Sequence, residues 1–202
     1  KIKHVDVDAK LIQVIPAYDG KKPMFFGGVA NTHSIVRQKM LEILFDNKGD
    51  EILDRKAIEA MNAIRLEFSY FKVKNISYDR PVFYDGKYLT LYTFMGSKFN
   101  RTLSFLLQVN GLPNLLDDKT SSIEIECTFE SFRECWSTIL NPLSNIDDYI
   151  ADVVATNPGI LSFSKFAEYL RYNFQIQLLK TRYFDFGEVF RVGEWNLLYA
   201  DA

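Results

Sequence analysis

The stretch KYLTLYTFMGSKFNRTLSFLLQVNG, Lys87–Gly111, passes from one structural period to another within a few residues. Tyr88, Thr90, Tyr92 and Phe94 alternate with Leu89, Leu91 and Thr93, a β-branched and aromatic run of period two that predicts a strand. Gly96 breaks it. Ser97 reads as the N-cap of a helix carrying Leu103, Leu106 and Leu107, with Phe99 as a further candidate, on one side, until Asn110-Gly111 stops it. The tip between strand and helix is polar and partly basic: Ser97, Lys98, Asn100, Arg101 and Thr102. A helix N-terminus offers free backbone N–H groups and a partial positive charge, so this tip is the best candidate anion site in the sequence.

Upstream, Ile76–Tyr84 reads as extended and Asp85-Gly86 as a hairpin turn into the central strand. Downstream, Leu112–Leu116 and Ser122–Thr128 read as two more strands around the polar turn Asp117–Thr120. Helices are predicted over His33–Phe45 and Asp50–Lys72. In the first, Ile35, Val36, Met40, Ile43 and Leu44 face inward, Arg37, Lys39 and Glu42 outward, and Asn31 or Thr32 is the cap. In the second, Leu53, Ala57, Ala60, Ile64 and Phe68 hold helical spacing, and Arg55 pairs with Glu59 one turn away.

Further helices are predicted over Glu130–Leu140, Asn145–Thr156 and Ser164–Leu170, the last continuing after a kink into Gln175–Arg182; Val189–Tyr199 is ambiguous. At the start, Lys1–Ala17 reads as a hairpin pairing His4–Val7 with Leu11–Ile15. It is followed by a turn at Asp19–Pro23, the apolar Met24–Phe26 and the pair Gly27-Gly28. This order predicts an α+β fold, a mixed but mostly antiparallel sheet flanked by several helices. Residues 1–202 read as one domain, with residues 1–20 open to a second reading as the end of an upstream β-module. The lack of an initiator methionine and the strand-like opening point to a piece of a longer chain.

A net charge of −2 gives no global attraction to nucleic acid, so any such contact must come from a local patch. Two cysteines, Cys127 and Cys135, make neither a disulfide framework nor a zinc spacing, and suit a reducing, cytoplasmic compartment. No apolar run reaches the length of a membrane span, and no signal peptide is present. No phosphate-binding GxxxxGK[ST] loop, GxGxxG, HExxH or GxSxG occurs, and His4 and His33 are the only histidines available to a catalytic triad.

His33 and Arg37, one helical turn apart after Gly27-Gly28, fit a phosphate contact at a helix start or a capping loop with a solvated face. Lys98, Asn100 and Arg101 fit an anion-facing tip or a polar helix start whose arginine is tied to a neighbour. Tyr70, Phe71, Tyr78, Phe83, Tyr84, Tyr88 and Tyr92 could stack on bases or fill a core. Glu124, Glu126, Asp147 and Asp148 are explained by solvent faces without a metal.

Four segments, in order, resemble the C-terminal accessory region of Lhr-type and related DEAD/DEAH-box superfamily-two ATP-dependent helicases. They are VIPA with FFGG and HSIVRQKM, LDRKAIEAMNAIR, TFMGSKFNRTLSFLL, and KFAEYL with LLKTRYFDFGEV. The chain departs from the family's pattern at Val29, where a third glycine is usual, at Ser97 for Thr, and at Leu170-Arg171 for Leu-Pro. The resemblance implies a non-catalytic module of a bacterial-type helicase that packs on RecA-like motor domains and helps to hold single-stranded DNA or RNA. ATP and magnesium are then expected only on those motor domains, with no cofactor in this segment. Carried onto this chain, the matching candidates are Ser97, Asn100 and Arg101 of the central block, with Lys98 beside them, and His33 and Arg37 of the HxxxR helix. The alternative is a structural or partner-docking module without nucleic-acid contact.

Overall fold

The computed structural model describes residues 2–6, 11–14, 16, 31–46 and 49–201. The predicted turns at Asp8–Lys10 and Asp19–Pro23, and the stretch Met24–Val29 with its two glycines, lie outside them. The chain divides into two compact units, Lys1–Ala30 and Asn31–Ala202. In the first, β1 (Ile2–Asp6) and β2 (Leu11–Val14) form the expected antiparallel hairpin, with His4 opposite Gln13 and Asp6 opposite Leu11.

The second unit runs α1 (Ser34–Asp46), α2 (Arg55–Phe68), β3 (Asp79–Tyr84), β4 (Tyr88–Tyr92), α3 (Ser97–Val109), β5 (Asn114–Asp117) and β6 (Ser122–Glu126). It continues with α4 (Phe129–Thr138), α5 (Ile146–Thr156), α6 (Tyr172–Leu178) and β7 (Asn196–Asp201). Its sheet has the order β5-β6-β4-β3-β7, and every neighbouring pair is antiparallel except β3 and β7. The fold is α+β with a mixed, mostly antiparallel sheet.

Alternation decides which face of the sheet is covered. Leu89 and Leu91 of β4 stand opposite Ile125 and Ile123 of β6, and all four are fully buried. Glu124 and Glu126 point to solvent, as their alternation requires. Leu103, Leu106 and Leu107 of α3 share one core with these strands and with Phe132, Ile150 and Leu179 from later elements. Because α3 is buried on nearly every side, Asn100 and Thr102 are buried along with its leucines. A smaller core of Leu41, Leu44 and Phe94 gathers Phe68 and Tyr92 around it.

Four expectations need correction. First, β4 ends at Tyr92, not Phe94: Thr93 donates its N–H to the Ser121 carbonyl, and Phe94 turns left-handed at φ 47°. Consecutive side chains Phe94 and Met95 thereby enter different cores.

Second, α1 is rotated from the expected setting: Ser34, Arg37 and Leu41 are buried beside the expected Leu44, while Ile35, Val36 and Met40 face solvent. Third, Asp50–Lys72 is not one helix. Asp54 caps α2 by accepting the Ala57 N–H at 2.8 Å, so the chain before it forms a separate 3-10 turn, Asp50–Ile52. The Arg55–Glu59 pair is present.

Fourth, the expected helix Ser164–Leu170 is reduced to a 3-10 turn at Ala167–Tyr169, separated by extended Ser164 from another at Pro158–Phe163, and α6 runs on as a π-type turn, Leu179–Tyr183. The ambiguous end, Val189–Tyr199, resolves into a 3-10 turn followed by β7, parallel to β3.

Asp79 anchors that parallel edge. Burial opposes its charge, but the N–H groups of Lys74 and Asn75, the Asn196 amide and the Arg80 charge outweigh burial and hold its carboxyl below the ordinary value. Its contribution to stability is therefore present at neutral pH and is lost as pH falls below about 4. Asp79→Asn should shrink the acid-induced loss of stability between neutral pH and pH about 3. Leu106→Ala should cost about 2–5 kcal/mol in urea unfolding, and Leu115→Ala, on the exposed side of β5, no more than about 0.5 kcal/mol.

Candidate functional site

The turn from β4 into α3 is built against the first residues of α1. Gly96 donates its N–H to Ser34 Oγ at 3.1 Å, and Ser97 donates its N–H to the Thr32 carbonyl at 2.9 Å. Thr32 returns a bond from its own N–H to Ser97 Oγ at 2.9 Å, and that hydroxyl donates to Asp118 Oδ2 at 2.7 Å. A β-carbon on Gly96 would lie 2.6 Å from both Ser34 N and Thr32 O, which are backbone atoms. Only glycine permits this approach.

The N-cap of α3 is Gly96, extended at φ −72° and ψ 163°, and Ser97 is the first helical residue. The capping role expected of Ser97 is thus corrected: its hydroxyl is spent on Thr32 and Asp118. At α1 the cap is His33, whose Nδ1 accepts the Ile35 N–H at 3.2 Å, in place of Asn31 or Thr32.

Asn100 is fully buried, and its side chain closes the next layer. Its amide donates to the Met95 carbonyl at 3.0 Å and to Ser121 Oγ at 3.1 Å, while its oxygen accepts from Thr93 Oγ1 at 2.6 Å. Arg37, also buried, sends its guanidinium to the carbonyls of Asp118 and Lys119 in the β5–β6 turn. These bonds explain why α1 turns Arg37 inward. Two open carbonyls at a turn need donors, and a guanidinium supplies them together.

Arg101 is half-buried and donates to the Tyr183 carbonyl at 3.1 Å and to Asn31 Oδ1 at 2.7 Å. Its guanidinium carbon lies 4.4 Å from the Tyr183 ring centroid. Burial pushes the Arg101 guanidinium below the ordinary arginine value, with Tyr183 and Asp118 pulling the other way.

Lys98 and His33 line a cavity of about 260 Å3 over the joint, together with Asp185 and Glu188. Glu188 accepts the Ser34 hydroxyl at 3.2 Å. Two carboxylates thus stand where an incoming anion would approach the positive end of α3. Of the six residues picked from the sequence, Ser97, Asn100 and Arg37 are tertiary struts, Arg101 is tied to a carbonyl, and His33 and Lys98 flank a partly acidic cavity.

The working partners that sequence reasoning missed are Thr93, Asp118, Ser121 and Tyr183, which carry no local motif. Arg80 was missed too. It is fully buried, donates to the Ile76, Ser77 and Asp79 carbonyls, and lies 4.7 Å from the Trp195 ring. Burial, with Arg191 nearby, brings it down to about 10, so it stays charged at neutral pH.

Among the described residues no group of three His, Cys, Asp or Glu is placed to hold a metal ion. No helix among them is long and apolar enough to cross a membrane. Comparisons with protein-family models, curated proteins and solved structures find no match for this chain.

At an N-cap free of other contacts, replacing glycine by alanine costs on the order of 0.5–1 kcal/mol. Here Gly96→Ala should destabilise by about 1–3 kcal/mol or more, measured by thermal or urea unfolding. Arg37→Met, which fills the space but strands two carbonyls, should cost about 1–3 kcal/mol in the same assay.

Proposed function

We propose that this chain is a non-catalytic accessory module of an ATP-dependent helicase, bracing RecA-like motor domains of the same polypeptide. The helicase association is supported by the four ordered segments that resemble the Lhr-type C-terminal region. The bracing role is supported above all by α1, which buries Leu41 and Leu44 yet leaves further apolar residues outward. Ile35 is 67% exposed, Val36 50% and Met40 47%, and with Ile43 and Ile76 they line an open groove of about 750 Å3. The charged residues on that groove, Lys39 and Glu42, pair with each other at 2.7 Å. A contiguous exposed apolar face of this kind marks a contact surface.

The absence of chemistry in this reading agrees with the thiols. Burial, together with the neighbouring Cys127, pushes Cys135 up to about 11, and burial raises Cys127 as well, so neither is a ready thiolate at neutral pH. Two unpaired cysteines also suit the cytoplasm. In this reading the Gly96 joint keeps α1 and α3 in fixed relation, so that force on the docked face reaches the core without loosening it. Nucleotide chemistry belongs to the motor domains.

The test is Ile35→Glu with Met40→Glu in the full polypeptide. Both side chains face solvent, so the module should fold normally, while unwinding should fall by about tenfold or more, as for loss of a contact worth over 1.4 kcal/mol. Unchanged unwinding contradicts the docking role. An upstream sequence without RecA-like domains contradicts the helicase association itself.

A further inference from the structure

Helix α3 is buried on most sides, but one stripe of it lines a cleft. Arg101, Ser104, Phe105 and Gln108 fall at positions i, i+3, i+4 and i+7, a single helical face. With β5 and the end of α5, that face borders an open cleft of about 650 Å3. Much of the lining is apolar. Phe105 is buried and packs its ring on Phe184 at 5.0 Å, and Leu116, Val153 and Ile160 lie on the same wall.

The polar groups on the cleft divide into two kinds. Ser104 Oγ donates to Asn114 Oδ1 at 2.6 Å, and Asn114 Nδ2 donates to the Ser104 and Leu112 carbonyls, both at 3.0 Å. Those two side chains are committed to holding β5 on α3. The others keep donors free. Among the described residues, the exposed side-chain amides of Gln108 and Asn157 have no hydrogen-bond partner. Arg101 uses Nε and Nη2 on the Tyr183 carbonyl and Asn31, which leaves its Nη1. The Tyr183 ring, 4.4 Å away, backs the guanidinium. Arg101 is also the one charged residue on this cleft, whereas the cavity at the start of α3 carries Asp185 and Glu188.

We propose that this cleft binds a small organic carboxylate, an acid with an apolar body. The free donors suit the carboxylate, which accepts from a guanidinium and from carboxamide N–H groups. The apolar wall suits the body, and concave apolar clefts with a few polar groups are where small ligands bind. Charge selects among ligands. A metal ion or an ammonium would meet an unopposed guanidinium, which stays protonated at neutral pH. A phosphate strand is held by several cations along its path, and this cleft has one. A monoanion matches that single charge. The cleft is separate from the α1 groove, and the proposal needs neither the docking role nor the helicase association.

The experiment follows para-fluorobenzoate by fluorine NMR as the chain is titrated in, with para-fluorobenzamide as the uncharged control. The acid should bind with a Kd on the order of 1 mM, and the amide about fivefold or more weakly. Backbone amide shifts should concentrate at residues 101–108 and 157–160. Gln108→Glu with Asn157→Asp, which places carboxylates at two exposed positions, should weaken the acid about fivefold or more. Arg101→Gln should erase the preference for acid over amide. Trp195 and Trp136, stacked at 6.2 Å in the core, report by their fluorescence that each variant is folded. Absence of binding, equal binding of acid and amide, shifts centred elsewhere, indifference to the Gln108 and Asn157 pair, or displacement of the probe by an oligothymidylate would overturn the proposal.

Discussion

Everything in the larger unit depends on one close approach, the backbone of Gly96 against the first residues of α1. Three elements meet there. The α3 start supplies Gly96 and Ser97, the segment leading into α1 supplies Thr32 and Ser34, and the β5–β6 turn supplies Asp118. A helix start normally leaves its first N–H groups to water or a ligand. Here the N–H of the first helical residue, Ser97, and that of the Gly96 cap are taken by protein acceptors, so the turn joins elements.

That joint dictates the setting of α1. With Ser34 pinned to Gly96, helical spacing brings Arg37 round to the β5–β6 turn and Leu41 and Leu44 onto the small core beneath Phe94. The same rotation leaves Ile35, Val36 and Met40 outside. An apolar face exposed to water is the cost of satisfying the carbonyls of Asp118 and Lys119, and a docked partner would offset it. Strut and exposed apolar face are consequences of one rotation.

Much of this was legible in the sequence, for identifiable reasons. The hairpins announced themselves through period-two alternation and the Asp85-Gly86 turn, and Leu89, Leu91, Ile123 and Ile125 were on the buried face that alternation assigns. The rotation of α1 was not legible, because hydrophobic periodicity counts Arg37 as an outward residue and knows nothing of carbonyls eighty residues away. β7 was hidden because a parallel edge pairs with β3 across most of the unit and leaves no turn signal. The polar tip was identified as a feature, but its donors and acceptors are used within the fold, a matter of tertiary partners that spacing cannot encode.

Amide hydrogen exchange at Gly96 and Ser97 tests the joint most directly. If the turn is a strut, both amides exchange only through global unfolding, as slowly as the buried amides of β4 and as far from the fast exchange of an ordinary helix start as the protein's stability allows. Exchange at the rate of an open helix terminus, with the core amides still protected, would contradict the account.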